Sequence, residues 1–354
     1  METIKYKDFL DQLTEYNYKH NIPGMGFFEL TPLCNLDCKL CYVHLQDPSI
    51  KERLLTGKQW IALMEDAIRH GMTRALISGG EAMTHPDFWE IYMFLVNHGV
   101  PVHLKTNGVL LNGENLEKFR KYPPEWIDVS LYGCDRESYV AVTGHDVYEK
   151  VVANLRNVRE ARLPLRIAIT PSRPMLPWME GIMRLADSFD VSVVIANFVI
   201  DPNENTGRHR ESIALTAGEY LAIGRLEGEI FPAENIQKDE YEPDEENPRP
   251  APSEKKTGLR CQAGRSSFCI NWDGTMSPCV SFPREIVVAE PMKTGFEKAW
   301  EIINECVRNY ELPEKCHTCK IGAKCVFCPV KHAKTAALHQ CDEDVCRYLI
   351  DIRK

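Results

Sequence analysis

Between residue 26 and about residue 198, short runs rich in β-branched and aromatic residues alternate with amphipathic stretches of helical period. That pattern builds successive βα units around a parallel sheet. The predicted strands are 26–31, 74–78, 102–106, 126–131, 165–170 and 191–198. Six strands are too few for a closed eight-stranded barrel. Between them, Trp60, Ile61, Met64, Ala67 and Ile68 form one apolar stripe, and Phe88, Ile91, Phe94 and Leu95 form another that ends near Gly99, a predicted C-cap. Both stripes read as core.

Just after the first predicted strand, the string CNLDCKLCY sets Cys34, Cys38 and Cys41 at spacings of four and three residues. Three thiolates can hold only three corners of a cubane, so a [4Fe–4S] cluster bound here would keep one iron open for a ligand. A zinc site would instead show a second pair of Cys or His close by, and none follows within about ninety residues. Fourteen cysteines in the chain need a use, because thiols in a reducing compartment stay unpaired and disulfide frameworks belong to short secreted domains. Eleven of them fall into groups with ligand-like spacing, leaving Cys134, Cys306 and Cys341. Exposed clusters oxidise easily, so an anaerobic or microaerobic host is expected.

The charge balance narrows the partners. With 42 basic against 51 acidic residues the net charge is −9, which gives no basic surface for nucleic acid or for an anionic membrane. The first twenty residues are mixed and charged, with no apolar signal-like run, and no stretch approaches about eighteen apolar residues. A cytoplasmic location is expected. At 354 residues, 44% of them hydrophobic, two domains are expected. The boundaries are 1–228, an acidic Pro-rich linker or loop at 229–258, and a cysteine-rich unit at 259–354. That last unit shows so little hydrophobic run length that its core is expected to need metal.

The cysteine string, with Gly79, Gly80 and Glu81 (SGGEAM) one βα unit later, resembles the radical S-adenosylmethionine (SAM) superfamily. The resemblance implies a (β/α)6 partial barrel, an α/β fold open on one side for large substrates. It implies that SAM chelates the open iron and is split by one electron, giving a 5′-deoxyadenosyl radical that takes hydrogen from the substrate. Glu81 and the two glycines would then bind the amino group of SAM, Ser130 its ribose, and Tyr42 would lie beside the adenine. Thr106 and Asn107, at the end of the third strand, face the same rim. Ala82 stands where the family usually has Pro, and Leu40 where it usually has an aromatic residue. On the residues alone, a strand-end serine such as Ser130 serves its own turn equally well, and Gly-Gly before a helix is commonly only a turn.

The C-terminal cysteines resemble the SPASM domain, which holds two auxiliary [4Fe–4S] clusters. By that resemblance Cys261, Cys269, Cys279 and Cys328 hold one cluster, and Cys316, Cys319, Cys325 and Cys346 the other, for three clusters in all. Gly274, in a hairpin-like turn, brings the preceding strand back toward Cys279. Cys328 comes one residue earlier than usual, and Cys341 competes with Cys346. A zinc ribbon is the alternative for this region. Cys134, at the rim after the fourth strand, is a candidate hydrogen donor or substrate link, although a small buried residue at a helix start accounts for it as well.

SPASM enzymes mostly modify ribosomal peptides or protein side chains, which implies a peptide or protein substrate and an electron donor of flavodoxin or ferredoxin type. The stretch before the first strand is too short for a leader-binding fold, so a separate recognition protein is expected where a leader is used. The alternatives are a sulfatase-maturating enzyme, disfavoured because Val280 stands where those carry an Asp, and cofactor biosynthesis, including haem side-chain chemistry. A non-enzymatic iron–sulfur or zinc scaffold, or an electron-transfer protein, is the remaining class.

Overall fold

The computed structural model describes residues 5–45, 47–196, 208–231, 258–259 and 261–311. After α1 (Tyr6–His20), six βα repeats run β1 (Met25–Glu29), α2 (Gly57–Arg69), β2 (Arg74–Ser78), α3 (Phe88–Asn97), β3 (Val102–Thr106), α4 (Gly113–Lys121) and β4 (Trp126–Ser130). They continue with α5 (Arg136–Thr143), α6 (Tyr148–Glu160), β5 (Leu165–Ile169), α7 (Met179–Asp187), β6 (Ser192–Ile195), α8 (Arg210–Ile213) and α9 (Ala217–Ile230). The chain then adds β7 (Ser267–Ile270), β8 (Met276–Ser277), α10 (Pro291–Thr294) and α11 (Phe296–Asn309).

The sheet order is β6-β5-β4-β3-β2-β1-β7-β8, parallel throughout except for the β7–β8 hairpin. Alternation sorts the side chains: Phe28, Ile77, Leu104, Ile127, Val129 and Ile167 are fully buried on the helix-covered face. Their neighbours Glu29, His103, Lys105, Asp128 and Arg166 point to the opposite, inner face. The helices carry the signals their sequences promise. Thr56 and Gln59 form a reciprocal capping box at the start of α2. Gly99, with φ +68, follows the last turn of α3 in the left-handed conformation that a side chain disfavours.

The expectation of a thin core after residue 258 is corrected by the described part of that region. Phe268, Ile270, Met276, Phe296, Ala299 and Ile303 join the same apolar core as the six repeats. Phe268 meets Phe28 and Phe296 edge to face, and α11 hydrogen-bonds to the end of α1 through Trp300 Nε1 and the Asn21 carbonyl at 2.9 Å. A four-residue strand gives too few alternations to be read from sequence, which is why the contribution was hidden. Among the described residues no helix is long and apolar enough to cross a membrane.

Candidate functional site

Cys34, Cys38 and Cys41 lie on the loop leaving the C-terminal end of β1. Three other segments fix the course of that loop. Gly80 N–H donates to the Thr31 carbonyl at 2.6 Å and Glu81 N–H to that of Leu33 at 2.9 Å. On the other flank Asp37 and Lys39 N–H donate to the Thr143 and Val142 carbonyls, each at 2.9 Å, at the end of α5. From beyond β6, Arg208 donates to the Cys38 carbonyl at 2.8 Å and pairs with Asp37.

Two of the three sulfurs accept hydrogen bonds. Leu36 N–H lies 3.4 Å from Cys34 Sγ, and the Asn107 amide lies 3.6 Å from it. His44 N–H lies 3.1 Å from Cys41 Sγ. Tyr132 acts on Cys38, drawing its pKa down. Burial pushes the Cys34 thiol up to about 12 and raises those of Cys38 and Cys41, against the pull of these donors. Thiols of that kind keep their protons until a metal takes their place, and N–H···S bonds then stabilise the thiolate. Among the described residues no three His, Cys, Asp or Glu side chains are grouped tightly enough to hold a single ion. A cubane spreads its thiolates over separate irons and does not ask them to meet at one point.

Gly79 and Gly80 serve the loop directly. A Cβ on Gly79 would lie 2.5 Å from the Thr31 carbonyl, and one on Gly80 2.4 Å from that of Leu33. The glycine pair therefore lets the end of β2 pack backbone to backbone on the cysteine loop. Glu81 is 1% exposed. Its carboxylate accepts from Thr106 Oγ1 at 2.9 Å, Asn107 N–H at 2.9 Å and Met83 N–H at 3.3 Å. Burial raises its pKa, and those donors oppose the rise. The Asn107 side chain continues to Asn35 Oδ1 at 2.7 Å. The structure thus brings Gly79, Gly80, Glu81, Thr106 and Asn107 together with Cys34.

Ser130, at the end of β4, lowers the pKa of Tyr132, which in turn acts on Cys38. Tyr42 lies on the other side of the loop, where its hydroxyl donates to Glu29 Oε1 at 2.6 Å. Burial lifts Glu29 to about 7, partly offset by the Tyr42 bond. Cys134 packs its sulfur against the backbone of α7, so closely that a Cβ on Gly181 would come within 2.6 Å of it. Its N–H donates to Ser138 Oγ at 2.9 Å, next to the capping box of α5. Cys306 is half-buried against the cluster of Leu259, Phe282 and Val307. Asn35, Tyr132 and Arg208 escaped the sequence reading; a YG after a strand and an arginine 170 residues from its partner carry no local signal.

In the C-terminal region Cys269 is fully buried on β7, opposite Ser277 of β8. The charges of Glu29 and Cys279 bear on it. Gly274, with φ +80, makes the turn between these strands, and Cys261 is exposed before β7. Cys316, Cys319, Cys325, Cys328, Cys341 and Cys346 lie outside the described residues.

The sheet, the three-thiol loop and the strand-end motifs are together those of a radical SAM domain. Residues 28–175 match the model of the Radical SAM superfamily, and residues 261–320 match that of SPASM, an iron-sulfur cluster-binding domain. The AdoMet-dependent heme synthase of Methanosarcina barkeri is 25% identical over 346 residues, spanning 93% of this chain and 97% of that protein. The antilisterial bacteriocin subtilosin biosynthesis protein AlbA of Bacillus subtilis is 21% identical over 340 residues, 92% of this chain and 71% of that one. Among solved structures, Streptococcus suis SuiB bound to S-adenosylmethionine aligns with a TM-score of 0.69 at 15% identity, over 98% of this chain and 84% of that one. SuiB bound to its precursor peptide SuiA aligns with the same TM-score at 14% identity, over 98% and 82%. Likeness at that identity is a likeness of fold.

Proposed function

We propose that the chain uses a [4Fe–4S] cluster held by Cys34, Cys38 and Cys41 to cleave SAM, and directs the resulting 5′-deoxyadenosyl radical at a peptide or protein substrate. The observation that carries this reading is that the Cys34 and Cys41 sulfurs each accept a backbone N–H while Tyr132 draws the Cys38 pKa down, an arrangement suited to thiolates and wasted on buried thiols. Bound there, the cluster would supply an open iron and one electron. Glu81, Gly79 and Gly80 would form the SAM amino-group side of the site, with Thr106, Asn107, Ser130 and Tyr42 around it. Glu81 has no cation beside it among the described residues, so an ammonium arriving at its edge gains a charge-assisted bond. Cys261, Cys269 and Cys279 with Cys328, and Cys316, Cys319 and Cys325 with Cys346, would hold two auxiliary clusters. A flavodoxin or ferredoxin would supply the electron.

The peptide reading is supported by the likeness to AlbA, and the fold shared with SuiB accommodates it. A second reading, cofactor biosynthesis through haem side-chain chemistry, is favoured by the near end-to-end match to the heme synthase. The test is to reconstitute the chain anaerobically, reduce it with dithionite and measure 5′-deoxyadenosine from SAM. Peptides encoded beside the gene and iron coproporphyrin III are then offered separately. A mass change in a peptide supports the first reading and one in the porphyrin the second. No 5′-deoxyadenosine from a fully loaded sample sinks both.

A further inference from the structure

Parallel sheets are normally covered on both faces, yet Lys105, in the middle strand β3, has a side chain 47% exposed on the inner face. Its neighbours Leu104 and Thr106 are buried. The inner face is therefore open to solvent at this point. The two residues that follow turn away from it: Thr106 and Asn107 reach Glu81 and the cysteine loop. Lys105 reaches instead toward β4, where its Nζ lies 3.9 Å from Asp128 Oδ2, beyond hydrogen-bond range.

Asp128 is already taken. Arg166 Nε donates to Oδ1 at 2.7 Å and Arg166 Nη2 to Oδ2 at 3.2 Å, while His103 Nε2 lies 2.7 Å from Oδ2. The guanidinium also stacks on Trp126 at 4.8 Å. All three network residues are less than 9% exposed. Burial lowers the pKa of His103, and Asp128 is held well below the usual carboxylate range by His103 and Arg166 in spite of its own burial. The group thus counts two cations, one anion and a neutral imidazole. Arg74 and Glu125 pair with one another at 3.0 Å, so the group keeps one positive charge, carried at the solvent-open face by Lys105, where it attracts anions.

We propose that the Lys105 ammonium, set in place by the buried Arg166–Asp128–His103 network, is the docking point for a carboxylate of the substrate inside the barrel. The proposal rests on the radical SAM reading and adds to it the chemistry of what is bound. An acidic residue or chain terminus of a peptide carries that group, and so does a propionate of a tetrapyrrole. The ammonium can donate to such a carboxylate without breaking any bond of the network.

The experiment measures equilibrium binding to the reconstituted holoenzyme in the presence of SAM. The probes are iron coproporphyrin III and its tetramethyl ester, and a hexaglutamate peptide and its hexaglutamine counterpart. Lys105→Gln, a change at an exposed position, is compared with wild type and with Lys105→Arg. The expected result is that one carboxylate probe binds Lys105→Gln about tenfold or more weakly, a loss of about 1.4 kcal/mol, while Lys105→Arg stays within about threefold. Its neutral counterpart should not distinguish the variants. Which probe responds identifies the source of the carboxylate. Equal binding of both carboxylate probes to wild type and Lys105→Gln overturns the proposal, and so does a comparable loss of SAM affinity, which would put Lys105 on SAM. Release of 5′-deoxyadenosine by the wild type is measured in parallel: its absence fails the underlying reading, and its presence with indifferent probes fails the carboxylate dock alone.

Discussion

The Glu81 carboxylate accepts the backbone N–H of Asn107 at 2.9 Å, and the Asn107 amide in turn reaches Cys34 Sγ at 3.6 Å. The glutamate of the GGE string is thereby coupled to the first cysteine of the loop across two strand ends. Glu81→Gln keeps the shape but turns an amide NH2 toward groups that are themselves donors. It should lower the unfolding free energy of the metal-free chain by ~1–3 kcal/mol. Urea denaturation monitored by circular dichroism measures this, and an unchanged midpoint would show that the carboxylate is not needed to hold β2 and β3 ends together.

Gly80→Ala asks whether the close approach of β2 to the loop matters. The added methyl would lie 2.4 Å from the Leu33 carbonyl and 2.8 Å from that of Pro32. Backbone cannot swing aside as a side chain does, so a destabilisation of ~2–3 kcal/mol and a sharp loss of iron at the N-terminal site are expected. Iron analysis after reconstitution reads the outcome; full loading would mean that the loop can leave β2 without consequence.

Cys34, Cys38 and Cys41 changed together to Ala should remove about four of roughly twelve irons, leaving the C-terminal clusters loaded. Colorimetric iron and acid-labile sulfide determinations on both proteins suffice. Zinc in the wild type at the same positions would contradict the proposed chemistry.

The strand framework was legible because each inner strand is five residues of clear β preference bounded by turns: 74–78 and 102–106 coincide with β2 and β3, the ends of β1, β4 and β5 differ by a residue or two, and β6 ends at Ile195, short of the predicted 198. The cysteine spacing and the GGE string also stood out, since both are contiguous in the chain. What stayed hidden joins distant segments. Arg208 comes to the Cys38 carbonyl from the far side of the sheet, and Phe268 completes the packing around Phe28. Nor does the GGE string show that its two glycines also admit the backbone of residues 31–33.

Glu29 gives a prediction in pH. Its carboxyl sits near 7 in the fold against an ordinary 4.5, so its contribution to stability is fully present below about 4.5 and is lost as pH rises through 7, where burying the charge costs ~3 kcal/mol. Glu29→Gln removes that term. The variant should gain on the wild type between pH 5 and 7.5 in metal-free denaturation curves, and parallel curves across that range would show that the carboxylate is relieved by some other group.

The pairing of β7 with β1 has a consequence for how the protein is made. Met25 faces Ser267 across that ladder, partners roughly 240 residues apart, and such long-range parallel pairing forms late. At ordinary rates of synthesis the ribosome needs on the order of ten seconds or more to deliver that segment after β1 has emerged. Until then β1 is an open edge whose Phe28 lacks its Phe268 neighbour, and the nascent half-barrel is at its most adhesive. The strand that leads into the cysteine loop is thus completed by nearly the last part of the described chain to arrive. Iron delivered before that moment would meet a loop still hanging from an unfinished edge, so cluster assembly is expected to follow the arrival of β7.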